Sequence, residues 1–119
     1  MSQSRSDKPS PGSHAHTAVR GSHTGQPIMI LFDLLGRRWA MGILWNLSDA
    51  NRTFRDLQSR CGSASPTVLN TRLKELRAAG LVEKTNSGYG LTIDGRALFD
   101  VLEPLGDWAM DWAPRLARP

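Results

Sequence analysis

The sequence predicts a mainly α-helical domain with one small two-stranded β hairpin, an α+β arrangement. Three observations carry that expectation. Apolar residues recur at spacings of three and four through most of residues 27–112, the period of helices with one buried face. The breaks between these runs fall on glycine, proline and serine placed as helix ends require. One stretch, from Leu81 to Thr92, switches instead to short strand-forming runs around Asn86-Ser87-Gly88.

The chain has 119 residues, 39% hydrophobic and 22% charged, which suits a single water-soluble core in an ordered part of roughly 95 residues. Residues 1–24 are rich in Ser, Gly, Pro and His, lack apolar periodicity and are read as a disordered tail. Residues 25–115 form the expected domain, and 116–119 a short C-terminal tail. His14, His16 and His23 all fall in the N-terminal tail, where no fixed geometry would hold a metal ion. No cofactor is expected.

Pro27 suits a first helical position, and Ile28, Leu31 and Leu35 give that helix one apolar face before Gly36 ends it. Trp39, Ile43, Leu44 and Leu47 mark a second, more thoroughly apolar helix. Ser48-Asp49-Ala50-Asn51 is turn chemistry. Thr53 caps a third helix with Phe54, Leu57 and Cys61 on one face, closed by Gly62. Ser65-Pro66 is the clearest start signal: serine accepts from exposed amides, while proline's missing N–H does no harm in the first turn. Leu69, Leu73 and Leu76 continue as a clean stripe until Gly80.

Leu81–Thr85 then reads as a strand, Asn86-Ser87-Gly88 as a turn using positive φ at Asn and Gly, and Tyr89–Thr92 as the returning strand. Thr92 or Asp94 caps a last helix carrying Leu98, Val101, Leu102, Leu105, Trp108 and Trp112. Helix, helix, helix, helix, hairpin, helix is the order of a winged helix-turn-helix, with the hairpin as the wing.

Charge is distributed unevenly. Residues 36–84 carry nine Lys/Arg against four acids, whereas residues 85–119 carry three against five. The first part suits a polyanion. Stepping 100° per residue from Leu69 puts Thr67, Thr71, Lys74 and Ala78 opposite the buried stripe, with Asn70 and Arg77 on one flank and Glu75 on the other. The outward face therefore holds short polar side chains and cations but no acid. Hydroxyls and an amide suit base edges in a major groove, and Lys and Arg suit phosphates. Ser65 lies at the positive helix end. Arg37, Arg38, Arg52, Arg55 and Ser87 are further expected phosphate contacts. An amphipathic helix also needs a solvated face, so the reading rests on the helix together with the wing and these arginines.

The runs DLLGRRWAMGILWNL, NRTFRDL, SPTVLNTRLKELRAAGLVEK and LTIDGRALFDVLEPLGDWA closely resemble HxlR-type transcriptional regulators over about residues 27–112. The resemblance implies a homodimeric winged helix-turn-helix with N- and C-terminal dimerisation helices. It also implies operator DNA as partner, with the fourth helix in the major groove. Gln26 stands where such regulators usually carry a cysteine before the first-helix proline.

Trp108 and Trp112, with Val101 and Leu105, exceed what a small core needs, so they are assigned to a dimer interface shared with Ile28, Leu31 and Leu35. An operator built as an inverted repeat follows, and repression is the expected outcome. A small aromatic or lipophilic effector near Trp39 and Trp45 is a further expectation. Cys61, apolar-facing and at a helix C-terminus, reads as a structural thiol. The alternative is a winged helix that binds another protein through its tryptophan-rich end.

An enzyme is not expected, because the folded region has no cofactor loop, metal spacing or histidine. Asp33, Gly36 and Arg37 interrupt the longest apolar runs, and the N-terminus lacks a secretory apolar stretch, so a cytoplasmic protein with no membrane partner is expected.

Overall fold

A computed structural model describes residues 25–117 of the chain. The tail expectations for 1–24, its three histidines included, lie outside the described residues, as do residues 118 and 119. The described residues fall into two units that meet between Gly36 and Arg37 in the chain.

In the first unit, helix α1 spans Pro27–Leu35, with Pro27 at its start and Gln26 supplying the first carbonyl acceptor, 3.0 Å from the Met29 amide. Gly36 closes it in right-handed geometry rather than at positive φ. Its most exposed apolar residues are Ile28, Met29 and Phe32, while Leu31 and Leu35 are half-buried. The outward apolar face is thus turned by one position from the expected Ile28–Leu31–Leu35 stripe.

The second unit holds α2 (Ala40–Asn46), α3 (Phe54–Arg60), α4 (Pro66–Ala78), β1 (Val82–Thr85), β2 (Gly88–Leu91) and α5 (Ile93–Leu116). The order is that of a winged helix-turn-helix. Its core is almost entirely aliphatic: Ile43, Leu44, Leu47, Leu57, Leu69, Leu73 and Leu76 are fully buried, and no polar or charged residue is buried among those described. Burying each such side chain stabilises the fold by about 1.5–3 kcal/mol relative to leaving it exposed.

Local chemistry fixes the helix ends. Thr53 Oγ1 accepts from the Asp56 amide at 3.1 Å, and Ser65 Oγ from the Val68 amide at 3.1 Å. At the end of α4, Gly80 takes φ +78°, so that its amide reaches the Arg77 carbonyl and the Leu81 amide reaches that of Leu76, both at 3.0 Å. Thr92, not Asp94, caps α5: its Oγ1 accepts from the Gly95 amide at 3.0 Å and donates to the Gly80 carbonyl at 2.5 Å. Helix α5 runs to Leu116, one residue into the expected tail, and contains Pro104 and Pro114.

Two expectations are corrected. Trp39 does not belong to α2 but precedes it at φ +75°, a rare conformation for a bulky residue. The Arg38 guanidinium lies 4.9 Å from the Trp39 ring centroid. In the hairpin, Thr85 pairs with Gly88, so the loop is two residues, Asn86-Ser87; β1 starts one residue later than expected, and β2 lies one residue earlier than its expected span. Gly88 alone takes the positive φ, at +112°; Asn86 does not. An isolated bridge on the other side of β2 extends the sheet: Arg52 and Tyr89 exchange backbone hydrogen bonds of 2.9 and 2.7 Å.

Candidate nucleic-acid interface

Helix α4 separates two kinds of surface. Leu69, Leu73 and Leu76 face the core, and Ser65, Thr67, Asn70, Thr71, Lys74 and Arg77 are all exposed. The Thr71 hydroxyl donates to the Thr67 carbonyl at 3.0 Å, which leaves its lone pairs outward. Lys74 and Arg77 form no ion pair among the described residues. Glu75 is held by Arg37 at 2.9 Å and by Arg72 at 2.8 Å, so the one acid on this helix is neutralised beside the cationic face. The Arg72 Nε also donates to the Arg38 carbonyl at 2.8 Å, tying α4 to the loop before α2.

The arginines expected at phosphates divide into two groups. Arg38 and Arg55 are exposed. Arg37 is partly buried and paired with Glu75. Arg52 corrects its expected role: only 12% of its side chain is exposed, its Nε donates to the Asn46 carbonyl at 2.7 Å, and it pairs with Asp49 at 2.9 Å and Asp56 at 3.2 Å. Burial alone would push the Asp56 carboxyl up, but Arg52 and Arg60 together outweigh it and hold Asp56 below its ordinary range. Arg52 is a structural cation. Its acids at i−3 and i+4 were visible in the sequence and are the signal that simple charge counting missed.

Two further side chains emerge only in three dimensions. Asn51 Nδ2 donates to Ser87 Oγ at 3.0 Å and to Thr85 Oγ1 at 3.3 Å, so the exposed Ser87 is bound at the wing tip. Lys84 supplies an exposed cation on the wing, 5.3 Å above the Tyr89 ring.

Trp39 and Trp45, expected to line one crevice, border two different hollows among the described residues. Trp45 lies against Gly106, edge-on to Phe99 with ring centroids 5.0 Å apart, and lines a wholly apolar hollow of about 200 Å³ with Met41, Leu102, Leu105 and Ala109. Trp39 borders a different hollow, of about 320 Å³, with Arg38, Val68 and residues 62–65. The Trp39 ring, on its positive-φ backbone, lies beside Gly62. Cys61 is buried, and burial pushes its thiol pKa up. Beyond Leu102 no residue of α5 is buried; Val101, Leu105, Trp108, Met110, Trp112 and Leu116 are all exposed. Trp108 and Trp112 stack on each other, centroids 5.5 Å apart and planes 19° from parallel.

A capped helix with a buried leucine stripe and an acid-free polar face, followed by a docked hairpin, defines a winged helix-turn-helix transcriptional regulator. Residues 34–117 match the HxlR-like helix-turn-helix family, and the chain belongs to it. It is 31% identical over 87 residues to the uncharacterized HTH-type transcriptional regulator YvaP of Bacillus subtilis, covering 67% of this chain and 81% of that one. Among solved structures, it resembles quinone-bound YodB of B. subtilis at 34% identity and TM-score 0.63, over 68% of this chain and 92% of YodB. It also resembles a possible HxlR family transcriptional factor of Thermoplasma volcanium at 29% identity and TM-score 0.67, over 75% and 86% of the two chains. The relatives are regulators rather than enzymes. No described helix is long and apolar enough to cross a membrane.

Proposed function

We propose that the chain binds an inverted-repeat operator as a homodimer and represses by covering that site, with α4 in the major groove. The observation that carries this reading is the exposed face of α4: Asn70, Lys74 and Arg77 stand clear of the core with no acid among them. Asn70 and the hydroxyls of Thr67 and Thr71 read base edges; Lys74, Arg77, Arg38 and Arg55 neutralise phosphates, and Ser65 and Ser87 add contacts at the helix start and wing. Arg37 contributes mainly by holding Glu75 out of the way.

The dimer reading draws on the apolar run of α5. Its exposed face, from Val101 to Trp112, is an unfavourable solvent surface, and a second copy covers it. In the other unit, α1 offers Ile28 and the half-buried Leu31 and Leu35 as proposed dimer contacts of its own. A two-fold axis then sets the recognition helices about 34 Å apart on one face of the duplex.

Fluorescence anisotropy with the chain's own upstream DNA, against a scrambled duplex and across a salt series, tests the proposal. Tight, salt-sensitive binding that favours the native sequence is expected; equal, weak binding to both duplexes overturns it.

A second reading is supported by the apolar hollow at Trp45 together with the likeness to quinone-bound YodB. A small, neutral, planar aromatic effector fits a space with a wholly apolar lining, and it binds reversibly because the only thiol in the sequence, Cys61, is buried with a raised pKa. Calorimetry with a naphthoquinone is expected to show heat and an altered operator affinity. Neither change would remove the effector.

A further inference from the structure

A hairpin of two four-residue strands is marginal by itself and needs docking to hold one orientation. Here the docking partner is the two-residue segment Asn51-Arg52. Arg52 forms the backbone rung with Tyr89, whose side chain is buried. Asn51, one residue earlier, reaches past that rung to the wing tip, where its amide bonds Ser87 Oγ at 3.0 Å and Thr85 Oγ1 at 3.3 Å. Thr85 Oγ1 also receives the Ser87 amide at 3.2 Å and donates to the Gly88 carbonyl at 3.0 Å. The tip is thus a closed hydrogen-bonded cluster with Asn51 as its link to the rest of the domain.

The sequence of β2 is shaped for this contact. Gly88 and Gly90 are two apart and so share one face of the strand. A Cβ on Gly88 would run into the Arg52 carbonyl, and one on Gly90 would run into Asn51 Oδ1, with the other near atoms also belonging to Asn51. Two glycines in so short a strand each cost about 0.5–1 kcal/mol in chain entropy. Their absent side chains make room for the Asn51-Arg52 segment. That segment is itself rigid, because Arg52 is bonded to the Asn46 carbonyl, Asp49 and Asp56. Asp56 lies in α3, the first helix of the helix-turn-helix, so the chain of bonds runs from that helix to the wing tip.

We infer that Asn51 is the positioning residue that sets the angle of the wing to the helix-turn-helix, and thereby places Lys84 and Ser87 on the duplex flank. This inference rests on the proposed DNA reading. Without the Asn51 bonds the hairpin keeps its inner rung but its tip swings, and flank contacts are averaged away.

Hydroxyl-radical footprinting on the upstream DNA, with hydrogen exchange of the free full-length chain, tests it. Asn51→Ala is expected to keep the central protection made by α4, lose the flanking protection made by the wing and weaken affinity about tenfold. In the free protein it should speed amide exchange of Ser87 about tenfold. Thr85→Val, which retains the β-branched shape, should reproduce both effects and serves if Asn51→Ala does not fold. Gly90→Ala should lower affinity in the native background but add little to Asn51→Ala, because the atoms it strikes are gone. An unchanged footprint and affinity in folded Asn51→Ala, or additive effects of the two substitutions, overturn the inference. If the native chain leaves no footprint, the DNA reading falls and flank placement with it; unchanged Ser87 exchange in Asn51→Ala separately overturns the clamp.

Discussion

The Arg52 guanidinium lies 3.2 Å from the Asp56 carboxylate, in the first turn of α3, and this pair binds the segment that docks the wing to the helix-turn-helix. The pairing predicts that two nearby arginines behave differently. Arg52→Ala is expected to lower Tm by several degrees and weaken operator binding only as the fold loosens. Arg55→Ala should leave Tm within a degree or so and lower the salt dependence of binding by about one unit. Thermal melts beside a salt series separate the two, and equal Tm values for both variants would contradict the assignment.

Acid sensitivity follows from the same pair. The folded Asp56 pKa lies below its ordinary value of about 4, so the pair stabilises the fold above that value. The contribution is lost as pH falls through the lower folded value. Unfolding measured between pH 6 and pH 3 should therefore show native stability dropping more steeply below about pH 4 than that of Asp56→Asn. Parallel curves would show that Asp56 gains nothing from its partners.

On α4, Lys74 and Asn70 project from the same exposed surface but are predicted to differ in what they read. Lys74→Ala should weaken binding to every duplex and lower the salt slope by about one unit. Asn70→Ala should relax preference at one base pair, costing about 1–3 kcal/mol there and little on random DNA. Identical behaviour of the two variants on specific and random duplexes would mean that α4 is seated in some other rotation.

These contrasts also show where the sequence was legible. The ends of α4 could be read because Ser65-Pro66 and Gly80 act through their own neighbouring amides and carbonyls. The hairpin was recognisable but its register was not, because Gly88 is set by the Arg52 backbone, 36 residues away along the chain. The same distance hides Asn51, which reads as ordinary turn chemistry until the wing folds onto it. Trp39 was misplaced because helical spacing from Ile43 gives no warning of a left-handed turn. Arg52 differs again: its partners Asp49 and Asp56 stand at i−3 and i+4 in the sequence, but a net charge does not show which charges pair.

Cys61 is predicted to be inert in the native state. It is 4% exposed, and burial raises its thiol pKa, so the thiolate stays scarce near neutral pH. Iodoacetamide should modify it far more slowly than a free thiol, with the rate rising steeply only through the unfolding transition. Diamide should leave operator affinity within twofold of the untreated value. Fast native alkylation accompanied by loss of DNA binding would make Cys61 a sensor instead.

The stacked pair Trp108–Trp112 gives the dimer its most direct test. Each ring keeps a large exposed surface, 55% and 40%, on a stretch of α5 that buries nothing in its own core. Truncating one ring therefore removes little internal packing, whereas a buried aromatic anchor in an interface typically carries about 2 kcal/mol or more. Trp112→Ala is expected to melt close to the native protein yet shift toward monomer in sedimentation velocity at micromolar concentration. Its operator binding should become steeply dependent on protein concentration, because two half-sites then have to recruit separate chains. A variant that sediments as the native protein does would take Trp112 out of the interface. A large fall in Tm with assembly unchanged would assign the ring to the protomer's own packing.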